Sequence, residues 1–337
     1  MCAFPKTSFI ALWGFLAVLM SVKAAGDADH ASRVDRPSVF IVVGAAGETE
    51  FGQTFAESAA HWQAAASNAG ASLVVVGLAT NGAVSDREQL QTALGRESRE
   101  GAAALWLVFI GHGTFDGKEA KFNLRGSDVS ATELAEWLKS FTRPLAVINT
   151  ASASAPFLAK LSRTNRVIIT ATRSGHEANY TRFGRFLSET IADAGADLDK
   201  DGQISLLEAF LAASRRTAEF YETEGRLATE HPLVDDNGDG LGTPPEWFRG
   251  VRAIKRAKEG ALPDGVRAHQ MHLLPSAGDS KLAPAARARR DELELAVAKL
   301  RELKSTLDES EYYKRLETLL VEMSRLYESA PASPTPR

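Results

Sequence analysis

Two strand-like runs end in residues that can do chemistry. Leu107-Val-Phe-Ile-Gly111-His112-Gly113 closes an apolar stretch with a histidine between two glycines, and Leu145-Ala-Val-Ile-Asn149-Thr-Ala151-Ser152-Ala-Ser154 closes another with small polar residues. A histidine within hydrogen-bond reach of a serine hydroxyl can act as its general base. A hydroxyl is far less acidic than a thiol, so it needs a well-oriented base, usually with a carboxylate that holds the histidine tautomer. Asp116 and Asp128 follow His112, but the sequence does not place them against it.

A second kind of chemistry is written in carboxylates. Asp197-Leu-Asp199-Lys-Asp201-Gly202-Gln203-Ile204-Ser205-Leu-Leu-Glu208 puts oxygen donors at the first, third and fifth places of a twelve-residue loop, glycine at the sixth and glutamate at the twelfth. That is the EF-hand pattern. Calcium takes six to eight hard oxygens; Gly202 permits the sharp turn, Gln203 offers its backbone carbonyl, and Glu208 is expected to bind bidentately. Ile204 is the apolar residue that pairs with a second loop in paired EF-hands. Asp235-Asp-Asn237-Gly-Asp239-Gly240-Leu241-Gly242-Thr243-Pro244-Pro245-Glu246 follows as a second candidate, with Asp235, Asn237, Asp239, the Leu241 carbonyl and Glu246 as ligands. Gly242 replaces its usual apolar residue, and two prolines stand where the exit helix should begin; Thr243 as N-cap accommodates them, since proline is tolerated at the first helical position.

The elements that must position these residues alternate. Apolar runs at 39–43, 73–76, 105–110, 145–148 and 167–170 are rich in Val, Ile and Leu on both faces, as strands of a covered parallel sheet are. Helical patterns lie between them at 50–69, 86–96 and 130–140, the last opening with the capping-box sequence Ser130-Ala-Thr-Glu133. Strand, helix, strand, repeated, predicts a three-layer α/β domain with a mainly parallel sheet. Such sheets bind ligands at the carboxyl ends of their strands, where both His112 and Ser152 fall. A further helix over 180–192 leads into the first acidic loop, which is expected to brace that side of the site. Periodicity fades over 251–281, read as a linker or an extended segment lying on the domain. Beyond it, over 282–329, Leu293, Val297, Leu300, Leu303 and Leu307 make one helical stripe, and Tyr313, Leu316, Leu320, Met323 and Tyr327 a second. Two stripes predict a C-terminal helical hairpin whose faces pack within the chain. The proline-rich end, 330–337, reads as a disordered tail.

In this order the motifs resemble the caspase and legumain group of peptidases. Gly111-His112-Gly113 is similar to their histidine motif, Val39-Phe-Ile-Val-Val-Gly-Ala-Ala-Gly47 to the first strand and turn, and Val167-Ile-Ile-Thr-Ala-Thr-Arg-Ser-Gly-His-Glu177 to the strand and loop that shape the substrate pocket. The resemblance spans about residues 36–225 and places the caspase-like domain over 36–250. It implies a peptide or protein ligand in the cleft. The departure is at the nucleophile, because 149–154 holds no cysteine in any register. Ala151 in that place makes a pseudoenzyme; a one-residue shift makes Ser152, with His112, a hydrolase pair. A third reading is a calcium-stabilised structural or surface protein whose cleft is vestigial.

The start of the chain sets the compartment. Lys6 precedes a short apolar run ending in Val22-Lys23-Ala24, the layout of a secretory signal over 1–24, so an exported protein with Ca2+ as its cofactor is expected. The lone cysteine, Cys2, lies in that leader, which excludes disulfides and thiolate chemistry from the mature chain. No later run is long and apolar enough to span a membrane after signal cleavage. A net charge of −4 without a basic block argues against nucleic acid as a partner.

Overall fold

The computed structural model describes residue 1 and residues 36–79, 84–257 and 262–328. The expected leader and tail lie outside these residues, Met1 apart. Strands β1 (Ser38–Val43), β2 (Ser72–Val76) and β3 (Leu105–Ile110) are followed by a small antiparallel sheet of β4 (Gly113–Phe115), β5 (Ala120–Phe122) and β6 (Val129–Ser130). Strands β7 (Leu145–Asn149), β8 (Arg166–Thr170) and β9 (Leu233–Asp235) complete the main sheet, whose order is β2-β1-β3-β7-β8-β9. All its pairings are parallel except that of β8 with β9, an antiparallel edge strand of three residues.

Alternation along the strands builds two cores. Val39, Ile41, Trp106, Val108 and Ile148 face α1 (Thr49–Asn68), α5 (Phe183–Thr190) and α6 (Leu206–Thr223). Phe40, Val42, Leu107, Phe109 and Val147 face α2 (Asp86–Arg96), α3 (Ala131–Trp137) and α4 (Ala155–Leu161). Strands β1, β3, β7 and β8 are buried along their whole length, which explains their unbroken apolar character. Strand β2 is the exception: at the sheet edge it leaves Leu73 40% exposed, so its apolar run does not mark two covered faces. The capping boxes are formed, Ser130 with Glu133 at α3, Ser205 with Glu208 at α6 and Ser85 with Glu88 at α2.

The segment after 251 is built into the domain. A β10–β11 hairpin (Phe248–Arg249 and Arg252–Ala253) and helix α7 (Val266–Gln270) deliver Ala268, Met271 and Leu273 to the core. Helices α8 (Pro284–Glu302) and α9 (Glu309–Glu328) form the C-terminal hairpin. In α8 the expected stripe holds at Leu293, Val297 and Leu300, which are buried, and ends there, since Leu303 just past the helix is 46% exposed. In α9 it does not hold. Tyr312 is the buried residue, while Tyr313, Leu320 and Tyr327 point outward at 49%, 47% and 49% exposure. Two apolar rows interleave on this helix, and the row of Tyr312, Leu319 and Leu326 is less exposed than that of Tyr313, Leu320 and Tyr327. Among the described residues no helix is long and apolar enough to cross a membrane.

One glycine sets the edge of the sheet. Gly77, just past β2, has φ +94°, and a Cβ there would stand 1.9 Å from the Val43 carbonyl oxygen. Gly77→Ala therefore meets both backbone strain and overlap with main chain, and it should cost at least about 2 kcal/mol, read as a lower urea midpoint in equilibrium unfolding.

Candidate functional site

The ends of β3 and β7 meet, through Gly113 rather than through the imidazole. Ser152 Oγ donates to the Gly113 carbonyl at 3.0 Å and accepts from the Gly113 amide at 3.1 Å. The hydroxyl is thus used in both directions, and Ser152 is 3% exposed. The glycines of the His motif are packing requirements. A Cβ on Gly113 would come within 2.4 Å of the Ser152 carbonyl oxygen, and one on Gly111 would lie 3.1 Å from Gly44 Cα at the end of β1.

The rest of the small-residue turn is satisfied internally. Thr150 Oγ1 donates to the Phe109 carbonyl at 2.8 Å, and the Asn149 carboxamide oxygen accepts from the Ala151 amide at 3.1 Å. Ser154 Oγ accepts from the Ala171 amide at 3.1 Å and lies 3.2 Å from Thr172 Oγ1. Ala153 adopts a left-handed φ of +52°, and its amide donates to the Glu177 carbonyl. Ala151 is buried. A helix begins at once as α4, so the polar run is a turn that knits β7, β8 and β4 together.

His112 sits in an aromatic box. Its ring contacts Phe51 at 4.9 Å and Phe55 at 5.2 Å, with Tyr180 at 6.0 Å. Nε2 lies 3.3 Å from the Ala46 carbonyl oxygen. Burial lowers its pKa below the ordinary histidine value, against the opposing hydrogen bond to Ala46 and the charge of Glu48, so the ring is neutral at pH 7. Among the described residues no carboxylate hydrogen-bonds to it. Asp116 accepts from the amides of Lys118 and Glu119, and Asp128 from the amide of Leu124.

Beside this box opens a cavity of about 420 Å³ lined by Glu50, Phe51, Tyr180, Arg182, Tyr221 and Arg226, among others. Phe51 and Tyr180 are shared: one face contacts His112, the other lines the cavity. Arg182 lies over the Phe220 ring at 4.4 Å. Glu230 accepts from the amides of Arg182 and Phe183, capping α5, and from the Tyr221 hydroxyl at 3.0 Å. These residues come from four separated segments, and none stood out in the sequence. None of 262–281 lines the cavity; that segment packs at the opposite end of the sheet, beside Pro144 and Asn165.

The first acidic loop is shaped for a hard cation. Asp197 accepts from the amides of Lys200 and Gly202, Asp199 from that of Asp201, and Asp201 from that of Gln203, so the three carboxylates turn toward one another. Gly202 has φ +86°, as the turn requires. Among the described residues, oxygens of Asp197, Asp199 and Asp201 lie within 4.8 Å of one another, as do ligand atoms of Asp199, Glu208 and His269. Glu208 is buried and accepts from the amides of Leu198 at 2.7 Å and Ser205 at 2.9 Å. The donor set fits calcium, and Gln203 keeps its carbonyl for it. The sequence missed His269, whose Nε2 lies 3.0 Å from Asp199 Oδ2. The loop does not pair with the second one. Ser205 bridges to His272, and the Leu206 amide donates to the Met271 carbonyl.

The second loop departs from expectation at its end. Asp235 accepts from the amides of Gly238 and Gly240, Asn237 from that of Asp239, and Asp239 from that of Leu241. Val234 and Thr243 then exchange backbone hydrogen bonds and close the loop. Thr243 is not the cap: its hydroxyl donates to Asp264, and the prolines lead into a single 3-10 turn, Pro245–Trp247, where Glu246 is exposed. Among the described residues Asp235, Asp239 and Glu246 form no group close enough to share an ion. Behind this loop Asp236 and Asp264 are buried together, Asp264 accepting from the amides of Asp236 and Asn237.

The class is a three-layer α/β protein with an antiparallel edge strand and a helical hairpin. Two similar solved structures are caspases. Caspase-1 from Spodoptera frugiperda matches with a TM-score of 0.39 and 10% identity over 60% of this chain and 87% of its own. The Drosophila initiator caspase Dronc matches with a TM-score of 0.38 and 13% identity over 60% of this chain and 80% of its own. No family model and no curated protein matches the sequence.

Burial, then the charge of Asp236, pushes the Asp264 carboxyl up to about 8. An acid with a raised folded-state pKa supports the fold fully below the ordinary carboxylate range of about 4, and that support is lost as pH rises through about 8. The melting temperature in chelator should therefore fall from pH 5 to pH 9, and Asp264→Asn should flatten the fall; scanning calorimetry across that range is the check.

Proposed function

We propose that this is an exported, calcium-stabilised pseudo-peptidase that binds a peptide or protein segment in the cleft beside His112. One observation carries the reading: both hydrogen-bonding directions of the Ser152 hydroxyl are taken by the Gly113 backbone. A nucleophile must present its oxygen to the substrate and its proton to the base. Here the proton goes to a carbonyl, and among the described residues no carboxylate holds the imidazole. Ala151, the other residue that can stand at the nucleophile's place, has no reactive group.

Binding needs none of this. The cleft has aromatic walls and two guanidinium groups, a combination suited to an extended peptide that carries a carboxylate. The vestigial alternative fares worse, since a cleft occupied by the 262–281 segment would favour it and that segment packs elsewhere. Export rests on the leader pattern in the sequence. A calcium-rich exterior lets the first loop work at an affinity of about 10⁻⁴ to 10⁻³ M. Of the two loops, 197–208 is the stronger site, because its carboxylates converge; any ion at 235–241 is held without Glu246.

Two experiments test the proposal. A fluorophosphonate probe should leave the protein unlabelled while fluorescence polarisation finds acidic peptides that bind, and Arg226→Glu, at an exposed position, should weaken them at least tenfold; labelling at Ser152 would restore the hydrolase, and no binding by any peptide would remove the cleft's role. For the ion, 10 mM calcium against EGTA should raise the melting temperature by about 5–10 °C, the shift expected at roughly a hundredfold excess over Kd. Asp197→Ala and Glu208→Ala should each abolish that difference. Glu208→Ala also breaks the capping box, so the calcium-dependent difference, not the absolute melting temperature, is the readout.

A further inference from the structure

The outward row of α9 is self-complementary. Tyr313, Leu320 and Tyr327 recur at a seven-residue interval, each about half exposed, with Val321 beside them at 42%. A seven-residue apolar repeat is the seam of a helix that pairs with another helix. Among the described residues Lys304 Nζ lies over the Tyr313 ring at 5.9 Å, but Leu320 and Tyr327 stay about half exposed, and the residue the helix buries is Tyr312, in the other row.

The charges along one flank of the seam say what covers it. Lys314, Glu317, Val321, Arg325 and Glu328 follow at intervals of three, four, four and three residues, a spacing that reads the same in both directions. Reversed about Val321, each charge meets its opposite: Lys314 falls on Glu328 and Glu317 on Arg325. Of the helix's other charges, Glu322 pairs with Arg289 and Arg315 with Glu311, both inside the chain. The four flank charges form no ion pair among the described residues; Glu328 accepts only from the Ser324 hydroxyl, at 3.3 Å.

We infer that the outer face of α9 pairs with α9 of a second copy of this chain, antiparallel, about a two-fold axis beside Leu320 and Val321. In an antiparallel pair the same flank of each helix faces itself across the axis, so Lys314 lies opposite Glu328 of the second copy and Glu317 opposite its Arg325. Each contact is then made twice, as an isologous interface requires. A parallel pair would instead face this row with the opposite flank, where Leu316 and Met323 carry no charge. A lone helix of 20 residues is about 30 Å long and covers less than the roughly 800 Å² per partner of a standard interface, so a reversible, micromolar dimer follows.

Sedimentation velocity of the purified protein from about 1 to 300 μM tests the pairing. The unmodified protein should pass from monomer to dimer within that range. Glu317→Arg and Arg325→Glu should each weaken association at least tenfold, because each sets like charges opposite one another on both sides of the axis. The double variant restores opposite charges and should recover dimerisation to within a few-fold of the parent, whereas Leu320→Asp should be monomeric throughout. All these positions are on the exposed face, so circular dichroism and melting temperature should match the parent. A parent that stays monomeric at 300 μM overturns the inference. So do a dimer indifferent to the single reversals and a double variant no better than either single.

Discussion

Burial of the sheet on both faces is the constraint that arranges everything else. Strands β1, β3, β7 and β8 are covered on both sides, so polar side chains have no place along them and gather where the strands stop. At those ends freed backbone groups need partners, since a buried unpaired amide or carbonyl costs about 1–3 kcal/mol. The small polar residues after β7 answer that need. Thr150, Ser152 and Ser154 each bond main chain or one another across β3 and β8, and Gly113 can approach them only because it lacks a side chain. What looks in sequence like an assembly of nucleophiles is in space a structural knot. The surface proposed to take a ligand lies further out, at the aromatic and cationic cleft beside Phe51 and Tyr180.

Much of the fold was legible, for reasons local to the chain. Strand β3 and helix α2 fall where the apolar runs and helical period predict, and α3 opens on the predicted Ser130-x-x-Glu133 box, because length, period and cap are contained within a few residues. Strand β9 was not legible: it is three residues long and ends in the first residue of an acidic loop, so it lacks any period of its own. The face that α9 buries was misjudged by one residue. The rows at Tyr312 and Tyr313 have the same spacing and similar residues, and only the position of α8 decides between them.

The site was legible in its parts and not in its connections. His112 and Ser152 lie at meeting strand ends, as their motifs required, yet the use of the Ser152 hydroxyl is fixed by a backbone 39 residues away. Spacing cannot report which lone pairs are taken. The shape of the first acidic loop was readable nearly whole, because its carboxylates, its glycine turn and its helix cap are consecutive. Its neighbour His269 was not, since α7 arrives from 70 positions further along.

Helix α6 connects the two places where ligands are expected. Its first turn is welded to the cation loop by Glu208, and its last turn carries Tyr221, whose hydroxyl holds the Glu230 carboxylate that caps α5 at the wall of the cleft. The helix has 18 residues without a proline or glycine to soften it, a stiff strut of about 27 Å. The proposed ion site and the proposed groove thus share one rigid part and no common chamber, so that a tilt of this strut would move both.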